Sequence, residues 1–455
     1  MPADPSGAFL EYHEPDIVKI LTLLSFFVAL SVSEWLSNKI IRAGLIGQII
    51  VGMIYGVPIG NILAIEWQET FLALGYIGLI LVIFEGGLTI RIDLLRQSIA
   101  LSVIAALLGV LTPIALSFAL LYAGFGHAPL EAFIVGVALC STSLGTTFVV
   151  INSASASRGL DFSSTRVGTV LLSAAVLDDV CGLVLVSVIR ELRDIGDDNN
   201  TNLGWVIGRP ILASGLMAIL TPLLAQFVFV MALVLGAFSA IAAYAGASVL
   251  FGSFLAGMFL SILQRPEATN ADRLHDIAAD PSSAFSATFD KYLADVQRFV
   301  FQPLFFASVG FAIPFLELWT GEMIWKGVVF TILMVLGKLI VGLCIPLWDL
   351  AASVRRPQME NSLDGEKPVS HAGSLVSSWA PATLLGTAMV ARGEIGLLII
   401  QIGLNETPYL GRKAFVVAVW AIVLNTIIGP AAAGFLIQAV GRKIVAHPRW
   451  GVQPE

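Results

Sequence analysis

The chain has 455 residues, of which 57% are hydrophobic and only 13% charged, and its mean hydropathy is +0.88. Soluble domains carry about 25% charged residues, so this composition excludes a soluble globular enzyme or a nucleic-acid-binding module. The net charge of −7 says little about partners, because the charges fall in loops and tails.

Apolar runs of about 20 residues recur along the chain without the alternation of a transmembrane barrel, and they imply an all-α polytopic membrane protein. Residues 1–16 are polar and acidic (Asp4, Glu11, Glu14, Asp16) and have no basic start. They read as an outer N-terminal segment ahead of a retained first helix, not as a cleaved signal. Thirteen spans follow, at about 17–37, 44–62, 71–90, 98–123, 130–152, 166–189, 203–222, 224–244, 247–264, 299–316, 323–348, 378–403 and 413–440. Only Thr221-Pro222 and Gln226 punctuate the seventh and eighth. The spans fill a transmembrane domain over 17–440, and 441–455 form an inner tail.

The longest loops, 265–298 and 349–377, are polar and read as flexible connectors. No GxGxxG or P-loop pattern occurs, so neither nucleotide binding nor an ATP-driven pump is indicated. Cys140, Cys181 and Cys344 stand far apart inside apolar runs and read as packing residues. All five histidines fall in loops or tails, and no cofactor is expected.

Orientation follows from the basic residues of the loops. With the N-terminus outside or lumenal, the inner loops and tail hold sixteen Lys and Arg and the outer segments six. That split favours a cytosolic C-terminus and an odd number of spans.

A charge at the centre of a membrane helix costs about 2.5–3.5 kcal/mol on insertion scales, so such residues are few and tend to serve function. Here they are Glu85, Asp178, Asp179, Lys338, Arg392 and Glu394, with Arg209 nearer a span end. Asp178 and Asp179 sit in SAAVLDDVCGLVLVSV (173–188). Successive helical residues point about 100° apart, so both acids cannot face one partner. One can pair with a cation on a neighbouring helix while the other faces a water-filled cavity. Like charges this close are relieved by taking up a proton or a cation, which is what a proton-coupled carrier requires of a site. Lys338, mid-span in TILMVLGKLIVGLC, is the natural counter-charge. Two roles stay open for it: a fixed ion pair, or a lysine that gives up its own proton. Glu85, near the inner end of the third span, is either an acid supporting the site from further out or an interface residue.

Two spans look broken. The fifth carries Ser141-Thr142-Ser143-Leu144-Gly145-Thr146-Thr147, and the twelfth carries Pro381 to Gly386 and then Arg392-Gly393-Glu394. Glycine and hydroxyl clusters at mid-membrane permit unwound backbone whose freed groups coordinate ions; close helix packing through small residues is the competing explanation. If spans 2–6 and 9–13 are five-helix repeats, the two breaks occupy equivalent places, and the odd repeat length inverts one repeat against the other.

Several stretches together carry a family resemblance: IGQIIVGMIYG (46–56), FEGGLTIRIDLLR (84–96), the break at 141–147, LDDV (177–180), FGSFLAGMFLS (251–261), FQPLFFASVGF (301–311), Lys338 and ARGEIGLLI (391–399). In order and over about 20–440, the sequence resembles the monovalent cation:proton antiporter superfamily, second family, with its Kef-like and NapA-like sodium or potassium:proton exchangers. The resemblance implies a thirteen-helix fold with a core domain and a dimerisation domain, a homodimer, and elevator-like alternating access. It implies that Asp179 binds the ion and the proton, and that Asp178 pairs with Lys338. Ser143, Thr146 and Thr147 would lie at the first crossing helix, with Arg392 and Glu394 near the second. The cargo implied is Na+ or K+, with Li+ as a further candidate, against H+. A cation channel would need a continuous pore but no titrating pair. An intramembrane aspartyl protease would need two aspartates sharing a proton across a substrate bond, which neighbours on one helix cannot do.

Overall fold

The computed structural model describes residues 16–41, 43–57, 59–88, 99–143, 165–191, 228–263, 284–355 and 371–451, and every regular element among them is a helix. In chain order the longer α-helices are α1 (Ile17–Ile41), α2 (Gly44–Tyr55), α3 (Ile65–Leu88), α4 (Ile99–Ser117), α5 (Pro129–Ala138), α6 (Arg166–Glu191), α7 (Val228–Tyr244), α8 (Val249–Leu263), α9 (Ala284–Tyr292), α10 (Gln302–Phe311), α11 (Gly321–Gly342), α12 (Cys344–Arg355), α13 (His371–Ala388), α14 (Glu394–Glu406) and α15 (Arg412–Val445). Six of the helical runs are long and apolar enough to cross a membrane, among them α1, α3, α6, α15 and the continuous stretch of α11 and α12. The chain is an integral, multi-pass membrane protein. The expected seventh span at 203–222 lies outside the described residues.

The helices sort into two packing groups. α1, α2, α3, α7, α8, α9 and α10 form one; α4, α5, α6 and α11 to α15 form the other. They meet mainly where α8 touches α6 and where α10 touches α14. Contacts repeat under a single exchange of α2 for α8, α3 for α10, α4 for α11, α5 for α13 with α14, and α6 for α15. Thus α2 packs on α10 as α8 packs on α3, and α4 packs on α5 and α6 as α11 packs on α13 and α15. The five-helix repeat expected from span spacing is therefore present as packing.

The same small-residue contact occurs once in each half of that exchange. A Cβ on Gly52 would lie 2.1 Å from the carbonyl oxygen of Ala307, and one on Gly310 would lie 2.3 Å from that of Ile49. Likewise a Cβ on Gly257 would lie 2.1 Å from the carbonyl oxygen of Phe84, and one on Gly87 would lie 2.2 Å from that of Phe254. Each helix pair approaches until backbone meets backbone, which only glycine allows. The glycines of 44–60 thus serve packing.

Three sequence expectations need correction. The loop 265–298 is not wholly a flexible connector: α9 begins at Ala284, and its Phe285 and Phe289 are buried one turn apart. That spacing makes an amphipathic face, which the surrounding Ser and Asp obscure. The loop 349–377 is likewise helical at both ends, with α12 running to Arg355 and α13 starting at His371. Pro381 also does not break its span. It sits inside α13, and the helix ends seven residues later at Ala388. The unwound stretch is Met389–Gly393, where side chains claim the freed carbonyls.

Candidate ion-binding site

Two helices stop in the middle of the second group. α5 ends at Ala138, its last turn closed by the amides of Leu139 and Cys140, and the chain leaves the helix over Ser141–Ser143; α13 ends at Ala388, and the chain resumes as α14 at Glu394. The two unwound stretches touch, the amide of Ser143 donating to the carbonyl of Ala391 at 3.0 Å. A helix end inside a membrane leaves backbone groups that need partners, and buried side chains supply them.

Lys338 on α11 has no exposed surface, and its ammonium donates to the Cys140 carbonyl (2.7 Å), the Thr142 hydroxyl (3.1 Å) and Asp178 Oδ2 (2.5 Å). An ammonium has three donors, and all are used. The Thr142 hydroxyl in turn donates to Asp178 Oδ2 at 3.0 Å. Arg392, also fully buried, donates through Nη1 to the carbonyls of Ser141 (3.0 Å) and Met389 (3.3 Å), so one cation spans both breaks. Thr426 on α15 fixes the Arg392 carbonyl from behind, at 2.8 Å. The two breaks are thus held by one cation each: Lys338 serves the first, Arg392 joins the second to it.

Asp178 is wholly buried, whereas Asp179 is half-buried on the next face of α6. α4 comes close to the pair because residue 109 is glycine: a Cβ there would lie 2.7 Å from Asp178 Oδ1. Several polar atoms at the crossing have hydrogen-bonding capacity left over among the described residues: Asp178 Oδ1, Ser143 Oγ, Arg392 Nε and Nη2, and both amide atoms of Asn425 on α15. Buried polar groups in proteins are nearly always satisfied. Spare capacity gathered around a carboxylate suits a site whose occupant, water or ion, changes during a cycle.

Of the residues singled out in the sequence, Asp178, Asp179, Lys338, Ser143 and Arg392 come together here. Thr146 and Thr147 lie outside the described residues, and so does the side chain of Glu394, which opens α14. Glu85 stands apart in the other group, where Gln297 donates to its carboxylate at 2.5 Å. Sequence reasoning passed over the Cys140 carbonyl, Thr142 as the hydroxyl shared by Asp178 and Lys338, and the pair Asn425-Thr426. Asn425-Thr426 was visible as two polar residues within an apolar span; a backbone carbonyl has no sequence signature.

The family model for the sodium/hydrogen exchanger transmembrane region matches residues 23–439. The chain belongs to the sodium/hydrogen exchanger family. It is a transporter and not an enzyme. Among its relatives, a Na+/H+ antiporter of Enterococcus hirae is 24% identical over 93% of this chain and 99% of its own length. The Na+/H+-K+ antiporter GerN of Bacillus cereus is 25% identical over 87% of this chain and 90% of its own. The structure of the sodium proton antiporter MjNhaP1 from Methanocaldococcus jannaschii has the same fold, with a TM-score of 0.60 at 18% identity, covering 93% of this chain and 99% of that one.

Proposed function

We propose that this exchanger carries its cation and its proton in turn on Asp179, while Asp178 and Lys338 form a fixed pair that holds the crossing together. The observation that carries this reading is the unequal treatment of two adjacent carboxylates. Asp178 is wholly buried and tied to an ammonium, whereas Asp179 keeps exposed surface on another face of α6. Exchange of a monovalent cation for H+ then needs only that both ligands compete for one carboxylate. Na+ is the cargo we assign first, with K+ a second substrate suggested by the GerN relative's name, and Li+ a smaller cation the same carboxylate would accept.

In this reading the second packing group moves as a body against the first, carrying Asp179 between the two sides. The thin contact between the groups supports that division. The N-terminus faces outward and the C-terminal side faces the cytosol, following the bias of basic residues. A second copy docks on the first group, whose α1 leaves Leu21, Leu24, Val28 and Trp35 exposed.

The test is exchange in proteoliposomes loaded with Na+, K+ or Li+ under an imposed pH difference and clamped voltage. Asp179→Asn, folded by its thermal transition, should lose exchange by about a hundredfold or more. Exchange at the parental rate in that variant would remove Asp179 from the role.

A further inference from the structure

Trp450 has no exposed surface, although it lies beyond the last helix. It sits in the apolar cluster formed by the ends of α4, α6, α12, α13 and α15, with Val167, Val170, Ile345 and Ile444 among its members. Its indole N–H donates to Asp349 Oδ2 on α12 at 2.8 Å. That carboxylate also accepts the hydroxyl of Ser378 on α13, and its other oxygen pairs with Arg449 at 2.7 Å. The Arg166 guanidinium lies over the Trp450 ring, 4.9 Å from its centroid. The first N–H groups of a helix have no partner within it; those of Arg166 and Val167, opening α6, donate to the carbonyls of Gly451 (3.1 Å) and Trp450 (3.2 Å). The turn itself is shaped by His447, whose Nδ1 accepts the amides of Arg449 (3.2 Å) and Trp450 (3.1 Å).

The segment 447–451 therefore clasps α6 and α12 directly and α13 through Asp349 and the shared apolar cluster. The same three paths lead to the crossing. Arg166 lies twelve residues before Asp178, Asp349 eleven after Lys338, and Ser378 eleven before Met389. Each distance is roughly three helical turns, or about 17 Å. The segment anchors all three at one depth, and the ion site hangs from the far end of the same three rods. A tilt of about 3° at the anchor would move a group at that length by about 1 Å, enough to spoil ion coordination.

We propose that Trp450 is a positioning residue for the ion site, setting the geometry of Asp178, Asp179 and Lys338 through the shared end of α6, α13 and the continuous stretch of α11 and α12. The proposal rests on the reading of those three residues as the ion site. It goes further in assigning a function to a segment remote from the chemistry. A mere cover for the bundle would affect stability alone; a positioning clasp changes cation affinity and its pH dependence in protein that remains folded.

The experiment compares Trp450→Phe, Trp450→Ala and Ser378→Ala with the parent in proteoliposomes, measuring apparent KM for Na+ across pH and the thermal transition in detergent. Trp450→Phe keeps the ring under Arg166 and loses the N–H to Asp349. We expect it to raise the apparent KM about fivefold and shift the pH profile, with the smaller Ser378→Ala change in the same direction. If Trp450→Ala fails to fold, the other two variants decide. Parental KM and pH profile in the folded variants, whatever their thermal transitions, overturn the proposal. Asp179→Asn runs alongside: exchange retained there defeats the ion-site reading, while exchange lost there with unaltered Trp450 variants defeats only the clasp.

Discussion

Both packing groups press glycine against backbone, Gly342 of α11 meeting Ala382 of α13 much as Gly52 meets Ala307, but they differ in what else holds them. In the first, α2 with α10 and α3 with α8 are fitted glycine to carbonyl, and the contact is made twice in the same form. Nothing in such a joint has a second arrangement available, because a backbone pressed on a backbone can only separate. In the second, the crossing of the two breaks is held by buried cations and hydroxyls, with hydrogen-bonding capacity to spare. Polar contacts of that kind can be exchanged for others at similar depth. The difference marks the second group as the one whose polar contacts have alternatives at the same depth.

The sharpest way to break the comparison is at Lys338. Lys338→Ala leaves the Asp178 carboxylate buried with its cation gone, and should cost about 3–5 kcal/mol of stability. Adding Asp178→Asn to that variant should recover most of the loss, as read from thermal transitions in detergent. An unaltered transition in the single variant would show that the pair is not what holds the crossing.

The glycine joints should yield a smaller cost that is equal at equivalent places. Gly52→Val and Gly257→Val each force helices apart and should destabilise by about 1–3 kcal/mol, with little change in the apparent KM of the protein that remains folded. Unequal costs would mean that the two joints are alike only in appearance. Next comes pH. Where one proton and one cation compete for Asp179, the apparent KM for Na+ should rise as the medium is acidified, approaching about tenfold per pH unit. A KM flat between pH 5 and pH 8 would contradict direct competition. The smallest effect belongs to the rim of the same group, where Arg190 meets Glu406 at 3.0 Å with both side chains partly exposed. Arg190→Ala should cost under about 1 kcal/mol, which separates rim from centre.

The clasp at Trp450 has a pH dependence of its own. Burial, with Arg449 adding to it and Asp349 opposing, holds the His447 pKa below the ordinary 6.5. A group whose pKa is depressed on docking favours the docked state above its free value, so the turn should loosen as pH falls below about 6.5. The charged groups acting on it are Asp349 and Arg449.

Much of this arrangement was legible in the sequence, for a physical reason. A charge inside an apolar run carries a cost that sets it apart, and Asp178, Asp179, Lys338 and Arg392 were each visible on that ground. The fold was legible in the spacing of apolar runs, and the breaks in their hydroxyls and glycines. What stayed hidden had no distinctive residue type. The Cys140 carbonyl binds Lys338 through backbone alone, and Thr142 stood among several equivalent hydroxyls. The second break was read partly at Pro381, whereas α13 absorbs that proline and unwinds only where Arg392 reaches the Met389 carbonyl. Trp450 looked like part of an ordinary polar tail because its partners, Asp349, Ser378 and Arg166, are distant in sequence.

Lys338 has a further, electrical consequence. The described ionisable side chains at the crossing, Asp178, Asp179, Lys338 and Arg392, sum to zero when all are charged. Under the proposed reading, Na+ on Asp179 raises that sum by one, and a proton there raises it by the same one. A cycle of this kind moves no net charge, so a membrane potential, which weighs an unbalanced charge at about 2.3 kcal/mol per 100 mV, neither drives nor opposes it. Only release of the proton on Lys338 would change that balance. With three acceptors around its ammonium, Lys338 keeps its proton under that reading, which then predicts an exchange rate independent of clamped voltage in proteoliposomes.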